Sequence, residues 1–513
     1  MKIKVVSGPP GCGKTWALLS EMIDRPGRYI LASPRISLIK EREHDLKTLA
    51  AASETSPLVR MIYSGQSRPR PVPERIVEAI EKHQDDEHVI LLITHEGMMS
   101  ADLDNLAGWH VKIDEMPLAV LAGKMGVEAA ASYFKQSFGL DPIPGTPWSR
   151  LQVRDDAPGT RSVLHDDLLG KLVPLDKRAR TAQGVYVDVQ DWTDLRLRGR
   201  KLHWWSVWTP LQLQTADSVT IAGASYHHSI FAKAIEALYP GQIEIEDVHV
   251  VGRPRQSRRV LIHYFTQAHR GASTFWEGKG KGKGRECLAK VCRYLEKVSL
   301  GYWSGNEVVT DYFYERLSGD MVSPKAEGTN GLMHHKSCAF IYSSKALPDD
   351  EPLIKVFGLN REEIERAREI EDVLQFVFRG DLRNPDATGD YNVYLYDRYQ
   401  AEALAAYLTE HGLGTVELVP VEEAGLLDMS RSGRGRPRSE PEDPRSLKER
   451  KDQKRADDAE RQQRKRSKDK AEEERQGIYR RKPGRPTKAS KEPTTICGQP
   501  VTPPPSPDSP VQP

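Results

Sequence analysis

Short apolar runs of strand length alternate with amphipathic helical segments along the first part of the chain. This alternation is typical of a parallel sheet covered by helices, because parallel strands are buried and are joined by long crossover connections. Five apolar runs, each followed by a polar turn, predict the strands of one such sheet. They lie at residues 3–7, 29–33, 89–94, 109–114 and 218–222.

A second series of strand-like runs follows a basic, turn-rich stretch at residues 252–258. Its members lie at residues 260–265, 307–310, 339–343 and 392–396. Residues 117–210 fit neither series, so we predict that they form an insertion in the first domain. The sequence therefore predicts an α/β protein with lobe one at residues 1–255, lobe two at residues 256–430 and a tail at residues 431–513.

The composition favours a cytoplasmic protein without a membrane partner. No apolar run approaches the length of a membrane span, and no signal peptide precedes the first predicted strand. The five cysteines are scattered, and their spacing matches neither a disulfide framework nor a paired zinc site.

The net charge of +2 hides an asymmetry between the tail and the body. Residues 431–513 carry 23 Lys and Arg against 14 Asp and Glu, whereas residues 1–430 carry 52 against 59. A basic tail on a mildly acidic body indicates that the tail binds a polyanion. The tail is also poor in aromatic and branched apolar residues, so it cannot offset its ordering entropy and is predicted to be disordered.

The turn after the first predicted strand has the spacing of a phosphate-binding loop, or P-loop. Its sequence, GPPGCGKT, matches G-x-x-x-x-G-K-[ST]. In such a loop the backbone N–H groups and the start of the next helix bind phosphates. We expect Lys14 to neutralise the β- and γ-phosphates and Thr15 to hold Mg²⁺. The predicted nucleotide-binding residues are Gly8, Pro9, Pro10, Gly11, Cys12, Gly13, Lys14 and Thr15.

Two adjacent acidic residues stand at the end of the predicted strand at residues 109–114: Asp114 is its last residue and Glu115 follows it. At the carboxyl end of a parallel strand, Asp114 can reach the Mg²⁺ ion while Glu115 faces the γ-phosphate as a base for the attacking water. Adjacent acids also occur in ordinary solvated turns. About a hundred residues after a P-loop, however, the pair favours ATP hydrolysis.

Further short motifs occur in a fixed order along the chain. "ASPR" at residues 32–35, "ITHE" at 93–96 and "GAS" at 223–225 end strands of lobe one, whereas "GTN" at 328–330 is a turn in lobe two. A segment at residues 375–383 then carries one glutamine and two arginines. Together with the P-loop and "IDEM" at 113–116, this order resembles the superfamily 2 (DEAD-like) helicases over roughly residues 1–400.

The resemblance implies two RecA-like lobes, with ATP and Mg²⁺ in the cleft between them and single-stranded nucleic acid lying across both. It assigns the metal to Thr15 and Asp114. It assigns catalytic roles to Lys14, Glu115, Gln375, Arg379 and Arg383. It assigns nucleic-acid contacts to Ser33, Pro34, Arg35, Thr94, His95, Gly328, Thr329 and Asn330.

Two arginines of lobe two compete for the contact with the γ-phosphate. A cation on a separate lobe stabilises the charge of the transition state and couples lobe closure to hydrolysis. Arg379 and Arg383 are also spaced i, i+4, which is typical of a solvated helix face. The helicase pattern has a glycine before the first arginine and a second arginine three residues later. Here Phe378 precedes Arg379 and Arg383 lies four residues on, so the choice stays open, with Arg379 favoured.

The tail contains a sequence that looks like an AT-hook, formed by Arg434, Gly435, Arg436 and Pro437. Glycine and proline keep such a segment narrow and extended, and arginines bind the narrow minor groove of A·T tracts. A weaker second copy lies at residues 481–488. This favours DNA over RNA as the partner, although a merely basic tail would also bind polyanions in a salt-dependent way.

The sequence leaves several alternatives open. The tryptophans of "HWWSVW" at residues 203–208 could stack on bases, but a buried core position is favoured. The favoured function is an ATP-dependent helicase or translocase that acts on DNA. The alternatives are a replication initiator or origin-binding ATPase that remodels DNA, and a P-loop scaffold that binds nucleotide without acting as a motor.

Overall fold

A computed structural model of the chain describes residues 1–66, 70–126, 131–159, 172–181, 183–196, 201–279, 282–325, 331–429 and Gln463. The strands are β1 (Lys2–Ser7), β2 (Arg28–Ser33), β3 (Leu58–Ile62), β4 (Val89–Thr94), β5 (Trp109–Asp114), β6 (Val120–Gly126), β7 (Phe138–Pro142), β8 (Trp148–Val153), β9 (Tyr186–Asp188), β10 (Lys201–Val207), β11 (Ser218–Ala222), β12 (Glu244–His249), β13 (Arg259–Thr266), β14 (Tyr302–Gly305), β15 (Asp320–Met321), β16 (Ser337–Ile341), β17 (Tyr391–Asp397) and β18 (Thr415–Pro420).

The helices are α1 (Lys14–Asp24), α2 (Ile36–Ala52), α3 (Val72–Lys82), α4 (His95–Ser100), α5 (Ala131–Ser137), α6 (Val173–Ala179), α7 (Val189–Thr193), α8 (Ile230–Leu238), α9 (Lys283–Leu295), α10 (Glu307–Phe313), α11 (Glu351–Phe357), α12 (Arg361–Glu365), α13 (Glu371–Val377) and α14 (Arg398–Glu410). A π-helical turn, Arg366–Ile370, connects α12 to α13. None of the helices in the described residues has both the length and the apolar character needed to cross a bilayer.

Lobe one contains a parallel sheet with the strand order β12-β1-β11-β5-β2-β4-β3. All five strands predicted for this sheet are present, and β4, β5 and β11 have the predicted bounds. The edge strands β3 and β12 were not predicted, because Arg60 interrupts the short apolar run of β3 and most residues of β12 are polar. The P-loop follows β1, an inner strand, at the carboxyl edge of the sheet, where open α/β sheets bind their ligands.

Lobe two contains a second parallel sheet, with the strand order β15-β14-β16-β17-β13-β18. Three of its four predicted strands are present as β13, β16 and β17. The predicted strand at residues 307–310 is wrong, because these residues belong to helix α10 and the strand β14 ends just before them. The β-branched pair Val308-Val309 suggested a strand, but Val309 and Phe313 have helical spacing and are both buried.

The segment predicted as an insertion forms an antiparallel sheet, with the strand order β6-β10-β9-β8-β7. Trp204 and Trp205 lie in β10, and Trp208 directly follows it. All three side chains are at most 7% exposed, so they are core residues, as the sequence favoured, and are not available to stack on bases.

Part of the chain between β16 and β17 packs away from its own sheet. Leu353 and Phe357 of α11 join the buried core that contains β1 and β5 of lobe one. The Phe357 ring also meets the Trp205 ring of the insertion edge-on, with the ring centroids 5.6 Å apart. Both lobes and the insertion therefore belong to one compact unit, Met1–Arg431.

The two parallel α/β sheets confirm the predicted fold class of two RecA-like lobes with additional structure between β5 and β11. The boundaries at residues 255/256 and 430/431 stay predictions. The predicted "GTN" turn (Gly328, Thr329 and Asn330) and AT-hook-like segment (Arg434, Gly435, Arg436 and Pro437) lie outside the described residues.

Candidate active site

The P-loop takes the backbone conformation that its glycines allow. Gly8, Gly11 and Gly13 have φ angles of 147°, 81° and 95°. Residues with a Cβ atom rarely adopt such φ angles, and here these angles turn the chain sharply between β1 and α1. Gly13 is the N-cap of α1, so the first residues of the helix have backbone N–H groups that no helical carbonyl accepts. The loop therefore places a cluster of donors at the carboxyl edge of the sheet.

Lys14, the first residue of α1, folds back over the loop. Its Nζ donates to the carbonyl oxygens of Gly8 (2.7 Å) and Pro9 (3.0 Å). Burial lowers the pKa of the Lys14 ammonium group. The loop and its lysine thus form a concave, positively charged surface of the kind that binds phosphates.

Thr15 and Asp114 meet beneath the loop. The Thr15 hydroxyl donates to Asp114 Oδ1 over 2.7 Å, and Arg42 Nε donates to the other carboxylate oxygen, Oδ2, over 3.1 Å. The backbone carbonyl of Asp114 is 3.0 Å from His95 Nε2. Each polar atom of the buried Asp114 side chain therefore has a partner, and the carboxylate is held in a fixed orientation.

The oxygen atoms of Thr15 and Asp114 fit a Mg²⁺ ion. Mg²⁺ at phosphate-transfer sites takes one or two protein oxygens and completes its shell with water and substrate phosphates. In the described residues, no group of three or more His, Cys, Asp or Glu side chains is arranged to hold a metal. The hydroxyl of Thr15 and the carboxylate of Asp114, 2.7 Å apart, supply the small number of protein oxygens that such an ion takes.

Glu115 has a strained backbone conformation. Its φ angle is 67°, and its N–H donates to the carbonyl of Ala222 in β11 over 2.8 Å. A non-glycine residue in this left-handed region costs on the order of 1–3 kcal/mol, and such strain is concentrated at functional sites. The side chain of Glu115 lines the same cavity as Lys14 and Thr15.

Lobe two contacts the P-loop through Arg383. A Cβ atom built on Gly11 would lie 2.6 Å from Arg383 Cγ and 3.1 Å from the Arg383 carbonyl oxygen, so only glycine allows this close approach. Burial lowers the pKa of the Arg383 guanidinium, and the nearby Glu115 carboxylate opposes this shift. An arginine remains protonated under these conditions. A cation of lobe two therefore packs against the phosphate-binding loop and shares the cleft with Glu115.

The linker between the two sheets positions the turn that carries Arg383. Arg255 donates to the carbonyl oxygens of Leu382 (2.7 Å) and Arg383 (3.5 Å). Arg258 is buried and donates to both the backbone and the side chain of Asp381. The basic stretch at residues 252–258 therefore fixes a turn more than 120 residues later in the chain.

Helix α13 brings two further predicted residues to the cleft. Gln375 donates to the Glu371 carboxylate over 3.1 Å, and the Ser225 hydroxyl of lobe one donates to the same carboxylate. Arg379 follows α13, and its Nε donates to the carbonyl oxygen of Gln375 over 3.1 Å. The start of α13 is thus tied to lobe one through the contact of Glu371 with Ser225.

Residues of the P-loop, the end of β5 and the end of α13 line a single cleft of about 380 Å³ between the lobes. It brings together all of the residues predicted to act on the nucleotide from either lobe, apart from part of the P-loop. Its lining comprises Pro10, Gly11, Gly13, Lys14, Thr15, Trp16, Leu19, Glu41, Arg42, Asp45, Asp114, Glu115, Met116, Ala222, Gly223, Ala224, Glu371, Gln375, Phe378, Arg379 and Arg383.

The residues predicted to contact nucleic acid are divided by their burial. Ser33 is 1% exposed and His95 is 5% exposed, so neither side chain can contact a nucleic-acid strand. The Thr94 hydroxyl caps α4 by accepting from the Gly97 N–H over 3.0 Å. Arg35, which follows the partly exposed Pro34, donates to the Lys325 carbonyl of lobe two, and so lies where the lobes meet.

Sequence reasoning missed Arg42 and Glu371. Arg42 shares the buried face of α2 with Leu38, Ile39 and Leu46. A charged residue at a buried position of an amphipathic helix was a usable signal, because such a charge needs a buried partner. Glu371 had no comparable signal, since its partner Ser225 belongs to the other lobe.

The burial of His95 predicts a pH-dependent stability. Burial lowers the pKa of His95 from 6.5 to about 4, whereas the unfolded chain binds this proton near pH 6.5. The contribution of the neutral His95 to the free energy of unfolding is therefore fully present above pH 6.5, and it is lost as the pH falls towards 4. The expected loss of unfolding free energy is about 3 kcal/mol.

Urea unfolding of the wild type and of His95→Gln at several pH values measures this effect. The glutamine amide can still donate to the Asp114 carbonyl but does not titrate. We expect the stability difference between the two proteins to change in favour of the variant as the pH falls. A difference in unfolding free energy that stays constant from pH 7 to pH 4 would show that the pKa of His95 is the same in the folded and the unfolded protein.

Comparison with known proteins adds distant structural likenesses only. No protein-family model matches the chain, and no curated protein matches it. A solved structure of an XPD helicase is 11% identical, with a TM-score of 0.44, and covers 81% of this chain and 96% of its own. Saccharomyces cerevisiae Dbp5 bound to RNA and ADP BeF3 is 9% identical, with a TM-score of 0.33. The match covers 81% of this chain and 85% of the Dbp5 chain.

The Mycobacterium smegmatis helicase Lhr, bound to ssDNA and AMP-PNP, is 13% identical, with a TM-score of 0.30. It covers 81% of this chain and 47% of its own. TM-scores this low denote loose structural agreement.

Proposed function

We propose that this protein is a nucleic-acid-dependent ATPase of the helicase or translocase type, which hydrolyses ATP in the cleft between its two lobes. The observation that carries the proposal is the approach of Arg383 from lobe two to Gly11 of the P-loop, beside Glu115. A P-loop protein that only binds nucleotide needs no cation from a second lobe at this position. The resemblance of the motif order to the superfamily 2 helicases supports the same function.

The phosphates of ATP bind the loop in this proposal. Lys14 Nζ exchanges its two loop carbonyls for oxygens of the β- and γ-phosphates, and these anionic oxygens compensate the ammonium group for the water that burial removes. The Thr15 hydroxyl and the Asp114 carboxylate hold the Mg²⁺ ion. When bound, this ion neutralises part of the phosphate charge.

Glu115 and Arg383 carry out the hydrolytic step. The Glu115 carboxylate accepts a proton from water as the water oxygen bonds to the γ-phosphorus, and the bond from this phosphorus to the ADP oxygen breaks. The Arg383 guanidinium stabilises the charge that spreads over the γ-phosphate oxygens. Gln375, which lines the same cleft, is placed to orient the water.

The contacts favour Arg383 over Arg379 as the arginine that meets the γ-phosphate. The side chain of Arg383 packs on the loop itself, whereas Arg379 donates to the Gln375 carbonyl at the end of α13. We therefore assign Arg379 the role of positioning Gln375. This reverses the preference that the helicase resemblance suggested.

Nucleic acid is proposed to lie across the edge where Arg35 of lobe one meets Lys325 of lobe two, next to the predicted "GTN" turn. Pro34 and Thr94 would complete this surface on lobe one. The AT-hook-like sequence of the tail favours DNA over RNA. Together these features support a motor whose tail holds it on duplex DNA.

The test is ATP turnover by the full chain without nucleic acid, with single-stranded DNA and with single-stranded RNA of the same sequence. We expect DNA to increase turnover severalfold and RNA to increase it less, because strand binding across both lobes favours the closed, hydrolysing form. Turnover that neither strand changes would support the nucleotide-binding scaffold instead. A strand-displacement assay on forked duplexes then separates a helicase from a remodelling ATPase.

Removal of residues 431–513 tests the role of the tail. We expect weaker binding to duplex DNA, with the largest loss on A·T-rich sequences. Equal affinity of the full and shortened chains on all sequences would contradict the AT-hook assignment without affecting the ATPase.

A further inference from the structure

Trp16 differs from every other tryptophan of the chain. The other eight are at most 9% exposed, whereas Trp16 is 51% exposed. Tryptophan supplies more apolar surface than other side chains and is therefore highly buried on average. Half of the Trp16 side chain contributes nothing to the core, so its position calls for another explanation.

The exposed ring faces the proposed ATP-binding cleft. Trp16 is the third residue of α1, directly after Thr15, and it lines the cleft together with Leu19 one turn later. In a P-loop the lysine reaches the β- and γ-phosphates, while the backbone at the loop and helix start cradles the α- and β-phosphates. The residue after Thr15 therefore lies at the α-phosphate end, where the nucleoside is attached.

The surroundings of Trp16 offer a flat surface but little to read the edge of a base. Helix α2 contributes Arg42 and two acids, Glu41 and Asp45, to the cleft lining, and Arg42 pairs with both acids and with Asp114. These groups are already engaged in ion pairs. The half-exposed Trp16 ring offers the base a flat face in this part of the cleft lining.

We propose that Trp16 is the platform on which the base of the bound nucleotide stacks. This inference rests on the proposed function, and deepens it by naming the class of nucleotide. Stacking reads the π-face of a base and not its edge pattern, and it strengthens with ring size. The site therefore accepts purine nucleoside triphosphates, ATP and GTP alike, in preference to pyrimidine ones.

The experiment compares ATP with inorganic tripolyphosphate, which has the phosphates but no base. Both are measured as ligands of the full chain by competition with a fluorescent ATP analogue. The variants are Trp16→Ala, Trp16→Phe and, as a control, Tyr314→Ala. Tyr314 is 59% exposed and lies outside the cleft lining.

We expect Trp16→Ala to weaken ATP binding about tenfold, the effect of losing one base–aromatic stack. Tripolyphosphate binding should stay unchanged, Trp16→Phe should keep most of the ATP affinity, and Tyr314→Ala should change neither ligand. GTP should follow ATP through the series, whereas CTP and UTP should lose less because they stack less strongly in the wild type.

Two results would overturn the inference while leaving the proposed function intact. Equal weakening of ATP and tripolyphosphate by Trp16→Ala would mean that the ring supports the loop and not the base. Unchanged ATP affinity in Trp16→Ala would mean that the ring does not contact the nucleotide. Failure of the proposed function is a separate outcome, in which the wild type binds neither ATP nor tripolyphosphate.

Discussion

Replacement of Lys14 by alanine is expected to reduce ATP hydrolysis by about a thousandfold. Lys14 Nζ is a partly buried cation held 2.7 Å from the Gly8 carbonyl oxygen of the phosphate-binding loop. No other lysine lines the cleft among the residues that the structure describes, so the charge has no substitute from a second lysine. Steady-state phosphate release with saturating single-stranded DNA measures the effect.

The control for this variant is Lys47→Ala. Lys47 lies on α2 of the same lobe, but it is 64% exposed and pairs with Glu43 on the surface. Surface pairs of this kind contribute little, so this variant should hydrolyse ATP at the wild-type rate. DNA binding should be preserved in both variants. Equal turnover in wild type and Lys14→Ala would refute the assignment of the P-loop as the hydrolytic site.

The second large effect is expected for Arg383→Gln. Glutamine keeps the Cγ that packs on Gly11 and replaces the charged guanidinium by a shorter, neutral amide. An arginine supplied to the γ-phosphate from a second element contributes about 10³- to 10⁵-fold to the rate of hydrolysis. We therefore expect kcat to fall by at least about a thousandfold, while the affinity for ATP changes only a few-fold because the loop and Lys14 remain.

Two further arginine variants make this result specific. Arg398→Ala removes an exposed arginine of lobe two that pairs with Glu402, and should leave hydrolysis unchanged. Arg379→Ala should lower kcat less than Arg383→Gln, because Arg379 acts through Gln375 in this proposal. A larger fall in kcat for Arg379→Ala than for Arg383→Gln would contradict this assignment. Arg379 would then be the arginine that contacts the γ-phosphate, as the sequence favoured.

The parts of the site that could be predicted are those encoded locally. The P-loop lies within eight consecutive residues, and its glycine spacing dictates the turn from β1 into α1. Asp114 follows an apolar run that forms β5 with the predicted bounds. In both cases a strand end and the residues directly after it suffice to place a side chain at the carboxyl edge of the sheet.

The parts that could not be predicted depend on contacts between distant segments. The position of Arg383 is set by Arg255 and Arg258 of the linker, and no local pattern links these residues to the turn that they hold. Helix α11 follows a strand of lobe two, yet Phe357 packs against the insertion. Tertiary packing of this kind has no counterpart in the periodicity of one segment.

The central claim is that Arg383 of lobe two stabilises the reacting γ-phosphate on the loop of lobe one. The most direct measurement is the affinity of the wild type and of Arg383→Gln for ADP and for ADP with aluminium fluoride, which mimics the transferring phosphoryl group. We predict that the wild type binds the fluoride complex at least about tenfold more tightly than ADP alone, and that Arg383→Gln loses this difference. An unchanged preference for the fluoride complex in Arg383→Gln would contradict the account.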